Sequence, residues 1–248
     1  MWTAFSWGLV AASSLILGGL LGSWVTLGRR TLGAIMAFGA GVLISAVAYE
    51  MVFEAVQLSR GSLVPGLGFL LGAATFFLLD QWIGRIGGKE RKGIGATHQS
   101  NLVVPIVLAI ILDGIPESAV IGLGVLERGT VGLAMLVAVF LSNFPESVTA
   151  TTGMRAGGWG RAKILLLWSV IVVVCGLASA AGYGLFSDAS DAALAFVSVF
   201  AAGAILMMLA NTMIPEAYEH GGKLAGVFTV LGFAVSVAII VLEHGPVG

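Results

Sequence analysis

The sequence predicts an all-α, polytopic membrane protein, with eight transmembrane helices in a single domain over residues 1–248. Three observations predict it. Hydrophobic residues make up 58% of the chain and charged residues only 10%, with a mean hydropathy of +1.03. A soluble domain carries about a quarter charged residues, so lipid rather than water must surround most of this surface. Apolar stretches of the roughly 20 residues needed to cross a bilayer recur along the chain. The basic residues, finally, fall almost entirely on alternate connections between those stretches.

Taken in order, the expected spans are 4–28, 32–55, 64–86, 101–125, 131–154, 164–186, 191–217 and 223–244. The first begins almost at Met1, has no basic residue ahead of it and is followed by Arg29 and Arg30. A signal peptide carries its positive charge before the apolar run, so 4–28 is expected to be a retained span. The longest polar interval, about 87–100, holds Lys89, Glu90, Arg91, Lys92 and His98 and reads as a solvated loop between spans three and four.

Arg29, Arg30, Arg85, Lys89, Arg91, Lys92, Arg155, Arg161, Lys163 and Lys223 fall on one side of these spans. Of the 12 basic residues only Arg60 and Arg128 fall on the other. The positive-inside rule puts the first side in the cytoplasm and both termini outside. Adding or losing a middle helix would scramble that division. Glycine pairs at four-residue spacing, Gly18/Gly22 and Gly68/Gly72, predict close helix crossings. A net charge of −1 offers no basic surface to nucleic acid. The single cysteine, Cys175, excludes an intrachain disulfide and a Cys-rich metal site. It reads as a small packing residue.

Acids in lipid cost roughly 2.5–3.5 kcal/mol each on insertion scales, so their positions are informative. Asp113 and Glu117 lie midway along span four, one turn apart on one helix face, and Glu146 lies late in span five. Two carboxylates that close repel, and one normally takes up a proton; a divalent cation between them removes the conflict. The two segments also match, D-G-I-P-E-S from Asp113 to Ser118 and S-N-F-P-E-S from Ser142 to Ser147. Proline inside a helix removes one hydrogen bond, so Pro116 is expected to free the carbonyl of Leu112 and Pro145 that of Leu141. Irregular backbone at membrane depth is tolerated where it is buried in protein or lines a wet cavity. Two kinked helices with a carboxylate beside each kink can converge on one hydrated ion, and Ser142 and Asn143 add oxygen donors one turn before Glu146. Neither expected span contains a Lys or Arg.

At these residues the sequence resembles the ZIP (Zrt/Irt-like) family of divalent metal transporters. The stretch Ala37-Phe38-Gly39-Ala40-Gly41-Val42 is similar to the family's second span. Ala201 to Ala204, and Met213 to Ala217 with the Tyr218-Glu219-His220 that follows, are similar to its seventh. The resemblance covers essentially the whole chain. It implies eight spans in a 3+2+3 arrangement, both termini outside, a homodimer, and a bundle of spans one, four, five and six moving against two, three, seven and eight. It implies a multi-pass protein of the inner (plasma) membrane that carries divalent metal into the cytoplasm, with no prosthetic group and no enzymatic activity.

Carried over residue by residue, the resemblance assigns metal ligation to Asp113, Glu117, Ser142 and Glu146, and Asn143 joins the candidate ligands as the oxygen donor read from span five itself. Gly114 stands where the family has Asn, Asn143 where it often has an acid, and span six has no carboxylate around Val174–Cys175. The pattern is that of a divergent, bacterial-type member with one site in place of two and no imidazole in it. Oxygen ligands suit harder ions such as manganese, whereas family membership favours zinc or broad first-row specificity; zinc is kept as the leading cargo. Glu50 and Glu54, near the outer end of span two, and Glu216, Glu219 and His220, at the cytoplasmic end of span seven, are expected where an ion enters or leaves. A ZIP-like membrane sensor or scaffold without transport is the alternative. An intramembrane hydrolase is a minor one, since no histidine sits near Ser118, Ser142 or Ser147 and no G-x-S-x-G occurs.

Overall fold

The computed structural model describes residues 1–25, 27–59, 62–85 and 103–244. The expected loop 87–100, with Lys89, Glu90, Arg91, Lys92 and His98, lies outside the described residues, as does Arg60. Among the described residues every regular element is helical. In chain order the long helices are α1 (Trp2–Trp24), α2 (Arg29–Leu58), α3 (Val64–Arg85), α4 (Val103–Arg128), α5 (Leu133–Ala156), α6 (Arg161–Leu185), α7 (Asp191–Gly221) and α8 (Leu224–His244). Among the described residues seven of them, all but α4, are long and apolar enough to cross a membrane. The chain is a polytopic helical membrane protein.

Several helices run past the ends that hydropathy suggests, α7 among them, which continues from 217 to Gly221. α2 extends beyond 32–55 in both directions, and α4 continues past 125 to Arg128. The extra turn of α4 carries Glu127 and Arg128, whose charge ends an apolar run without ending the helix; a basic residue at a helix C-terminus complements its dipole. α2 and α7 each contain a π-helical turn, Val47–Phe53 and Leu209–Met213. Such turns are frequent at functional sites. The α4–α5 and α5–α6 connections turn through Gly129 (φ 75°) and Gly158 (φ 83°), a backbone region that side chains disfavour.

Small residues set the packing. A Cβ on Gly18 would lie 2.6 Å from the carbonyl of Phe144, and one on Gly22 would lie 2.8 Å from that of Val148, so α1 lies directly on α5. Three further crossings are reciprocal. Gly72 and Gly203 each face the other helix's carbonyl, at Phe200 and Phe69, where α3 crosses α7. Gly41 and Gly232 do the same at Thr229 and Phe38 between α2 and α8, and Gly122 and Gly182 at Ser179 and Ala119 between α4 and α6. Close backbone approach replaces the hydrophobic effect as the adhesive in lipid. The resulting contacts divide the molecule into two packed groups, α1 with α4, α5 and α6, and α2 with α3, α7 and α8. α5 joins them through its contact with α2. Its apolar window is 72% buried, against 22% for α3 and 17% for α8. α5 is the central helix and α3 and α8 are peripheral.

The helices alternate in direction. At one end the start of α5 meets the last turn of α8, and the end of α4 meets the end of α2. At the other, the end of α1 meets the start of α6: Arg161 Nε donates to the Ser23 carbonyl (3.2 Å) and its guanidinium lies 4.0 Å from the Trp24 ring centroid. Among the described residues, this second end holds Arg29, Arg30, Arg85, Arg155, Arg161, Lys163 and Lys223, and the first end holds only Arg128.

Candidate functional site

Asp113 and Glu117 are buried on α4, and Ser142, Asn143 and Glu146 are buried on α5. Pro116 and Pro145 lie inside continuous helices. The Leu141 carbonyl, which Pro145 releases from helical bonding, lies 3.2 Å from where a Cβ on Gly39 would stand, so it is packed against α2.

The two helices meet at Glu117. Ser142 Oγ stands 3.4 Å from Glu117 Oε1 and Asn143 Nδ2 stands 3.4 Å from Glu117 Oε2, so each carboxylate oxygen faces one polar side chain of α5. Ser142 also donates to its own helix at the Val139 carbonyl, 3.0 Å away. Contacts of 3.4 Å are at the long end of hydrogen bonding. Asp113 lies one turn before Glu117 and Glu146 one turn after Ser142. Among the described residues, no three His, Cys, Asp or Glu side chains form a group that could hold a metal ion. The structure thus brings Glu117 together with Ser142 and Asn143, and does not gather Asp113, Glu117 and Glu146 into one triad.

Cys175 has an address that sequence did not supply. Its Sγ lies 3.3 Å from where a Cβ on Gly114 would stand, so α6 presents the thiol to α4 beside Gly114. A Cβ at residue 114 would press on this sulfur, which would have to give by a few tenths of an ångström.

Glu50 and Glu54 are brought together by a partner that sequence reasoning missed. Arg128 Nη1 donates to Glu50 Oε2 (2.8 Å), while Nη2 donates to Glu54 Oε2 (2.7 Å) and to the Glu50 carbonyl (3.1 Å). Glu50 Oε1 accepts from the Met135 amide at 3.1 Å, and Glu243 accepts from the amides of Leu133 (2.7 Å) and Ala134 (3.4 Å). Two carboxylates therefore cover the first three free amides of α5, where the helix dipole favours negative charge. The only sequence signal for this was charge in otherwise apolar surroundings.

Beside Arg128 opens a cleft of about 480 Å³ lined by Glu54, Gln57, Glu127, Asp191 and Ser198. A second pocket, about 10 Å³, lies behind Arg128 among Glu50, Val120, Ile121, Gly124 and Met135. That is room for about one water. Glu117, Ile121, Gly124 and Arg128 follow one another along a single face of α4. Glu216 is buried near the end of α7, with His220 one turn later and Glu219 exposed, at the opposite end of the molecule from Glu50. His220 Nε2 is buried with no hydrogen-bond partner among the described residues.

No known family profile matches the chain. A protein of Arabidopsis thaliana, provisionally named as a zinc transporter, is 27% identical to it over 219 residues. The match covers 86% of this chain and 34% of that protein, so the chain spans about a third of the length of the relative it matches.

Proposed function

We propose that this chain is a ZIP-like permease that carries divalent metal cations into the cytoplasm through one carboxylate-rich site between α4 and α5. Zinc is the leading cargo, with manganese, iron and other first-row ions as further candidates. The observation that carries the reading is the buried Glu117 carboxylate, faced from α5 by Ser142 and Asn143 at 3.4 Å. An acid at this depth in an apolar chain marks an ion path more often than a structural role. Similarity to a plant protein named as a zinc transporter supports the same substrate class.

On this reading α4 is the eighth span, in a 3+2+3 arrangement, and the end rich in arginine and lysine faces the cytoplasm, with both termini outside. A cation leaves its water for the oxygens of Glu117, Ser142 and Asn143, which already face one another, draws in Asp113 and Glu146 as it binds, and departs past Glu216, Glu219 and His220. The two packed groups of helices supply the parts that move. The exposed apolar faces of α3 and α8 suit a homodimer in the inner membrane.

Uptake into proteoliposomes tests the assignment. Glu117→Ala and Glu146→Ala should each abolish metal uptake, and unchanged uptake in both would falsify the site. Competition among zinc, manganese, iron, cobalt, cadmium and magnesium in wild-type vesicles identifies the cargo.

A further inference from the structure

The end of the molecule that carries Glu50 is closed by side chains that tie one group of helices to the other. Arg128 belongs to α4, and the groups it holds belong to α2. Glu50 reaches back to α5 at Met135, and Glu243 of α8 reaches α5 at Leu133. Every one of these bonds crosses the boundary between the two groups. The fit is tight, since a Cβ on Gly132 would collide with both the Glu50 carboxylate and the Arg128 guanidinium. Arg128 also forms part of the wall between the wide cleft and the small pocket behind it, and lines both. Beyond that pocket the α4 face leads through Gly124 and Ile121 to Glu117.

We propose that Arg128 is the gate on this path, a tethered cation that holds Glu50 and Glu54 and thereby keeps the cleft separate from the Glu117 site. Opening requires the guanidinium to leave both carboxylates and the two helix groups to part at this end. The bond set permits it. Arg128 engages through Nη1 and Nη2 only, and its Nε is buried with no hydrogen-bond partner among the described residues, so the clamp is specific without saturating the guanidinium. The proposal rests on the permease reading for the meaning of opening, but its geometry stands apart from any metal.

The test is therefore a reaction that needs no metal. A cysteine is placed at Gly124, where a Cβ meets nothing within 4 Å, in full-length protein carrying Cys175→Ser. Its modification by a cationic, membrane-impermeant thiosulfonate is timed from the side of the cleft. With the gate intact the reaction should be slow. Arg128→Gln, and separately Glu50→Gln with Glu54→Gln, should accelerate it at least tenfold. The glutamine pair decides if Arg128→Gln fails to fold, because it preserves side-chain shape and the acceptor for the Met135 amide. Rates within twofold of the parent in that pair, with the protein monodisperse, overturn the gate. Absence of metal uptake by the parent protein in proteoliposomes would instead remove the permease reading and leave the labelling result intact.

Discussion

Ser142 on α5 stands 3.4 Å from a carboxylate oxygen of Glu117 on α4, and it donates at the same time to the Val139 carbonyl at 3.0 Å. The hydroxyl has one proton, and the shorter contact holds it on its own helix. A lone pair is left facing the space beside Glu117, as a metal ligand requires. Asn143 differs, because its Nδ2 can only donate to Glu117; its carbonyl oxygen reaches a cation if the amide turns.

This difference predicts an order of effects. Ser142→Ala should raise the KM for metal uptake several-fold with little change in stability, since the hydroxyl's main bond is local. Asn143→Ala should have a smaller effect on KM. Long contacts to a carboxylate fall below the roughly 1.5–3 kcal/mol of good charged hydrogen bonds, so neither variant should melt far below the parent. Equal KM values for parent and Ser142→Ala would place the serine outside the ion's reach.

Ligand chemistry makes a second prediction. All the candidate donors are oxygens, and imidazole favours zinc over manganese. Asp113→His should therefore raise the ratio of zinc to manganese uptake in direct competition. An unchanged ratio with uptake preserved would show that residue 113 does not touch the cargo.

How much of this was legible follows from where the information sits. Apolar runs and alternating charge are local, and they located each helix to within a few residues. The P-E-S repeat at Pro116 and Pro145 is also local, and it picked out the two helices that meet at Glu117. Arg128 was not legible as a clamp. Its partners lie 74 and 78 residues away, and nothing in the sequence around Arg128 differs from a solvated span end. Cys175 was missed for the same reason, since its proximity to Gly114 exists only once α6 lies on α4. The π-helical turns left no periodic trace either.

Glycine crossings give a third prediction. At Gly72 a Cβ would overlap the Phe200 carbonyl, a backbone atom that cannot rotate away, whereas at Gly66 it would meet nothing within 4 Å. Both lie on α3, Gly66 in its first turn and Gly72 in its interior, where intrinsic propensity favours alanine more, so any loss at Gly72 comes from the clash and not from propensity. Gly72→Ala should lose about 1–3 kcal/mol through overpacking, and Gly66→Ala should be neutral or slightly stabilising. Thermal unfolding in detergent compares the two directly. Equal melting temperatures would mean that α3 and α7 are not in backbone contact.

The last prediction concerns Glu243, whose carboxylate accepts from the Leu133 and Ala134 amides at the start of α5. Both a hydrogen-bond cap and a charge facing the helix dipole act there, and substitution can separate them. Glu243→Gln keeps an acceptor oxygen and removes the charge. Glu243→Ala removes both. Capping losses run at about 0.5–2 kcal/mol, and charge–dipole terms at about 0.3–1 kcal/mol at low ionic strength. The alanine variant should therefore melt lowest and the glutamine variant in between. Salt screens the charge term but not the hydrogen bonds, so the gap between parent and Glu243→Gln should shrink as sodium chloride is raised, while the gap between Glu243→Gln and Glu243→Ala should persist. A parent–Gln gap that ignores salt would assign the stabilisation to hydrogen-bond geometry alone.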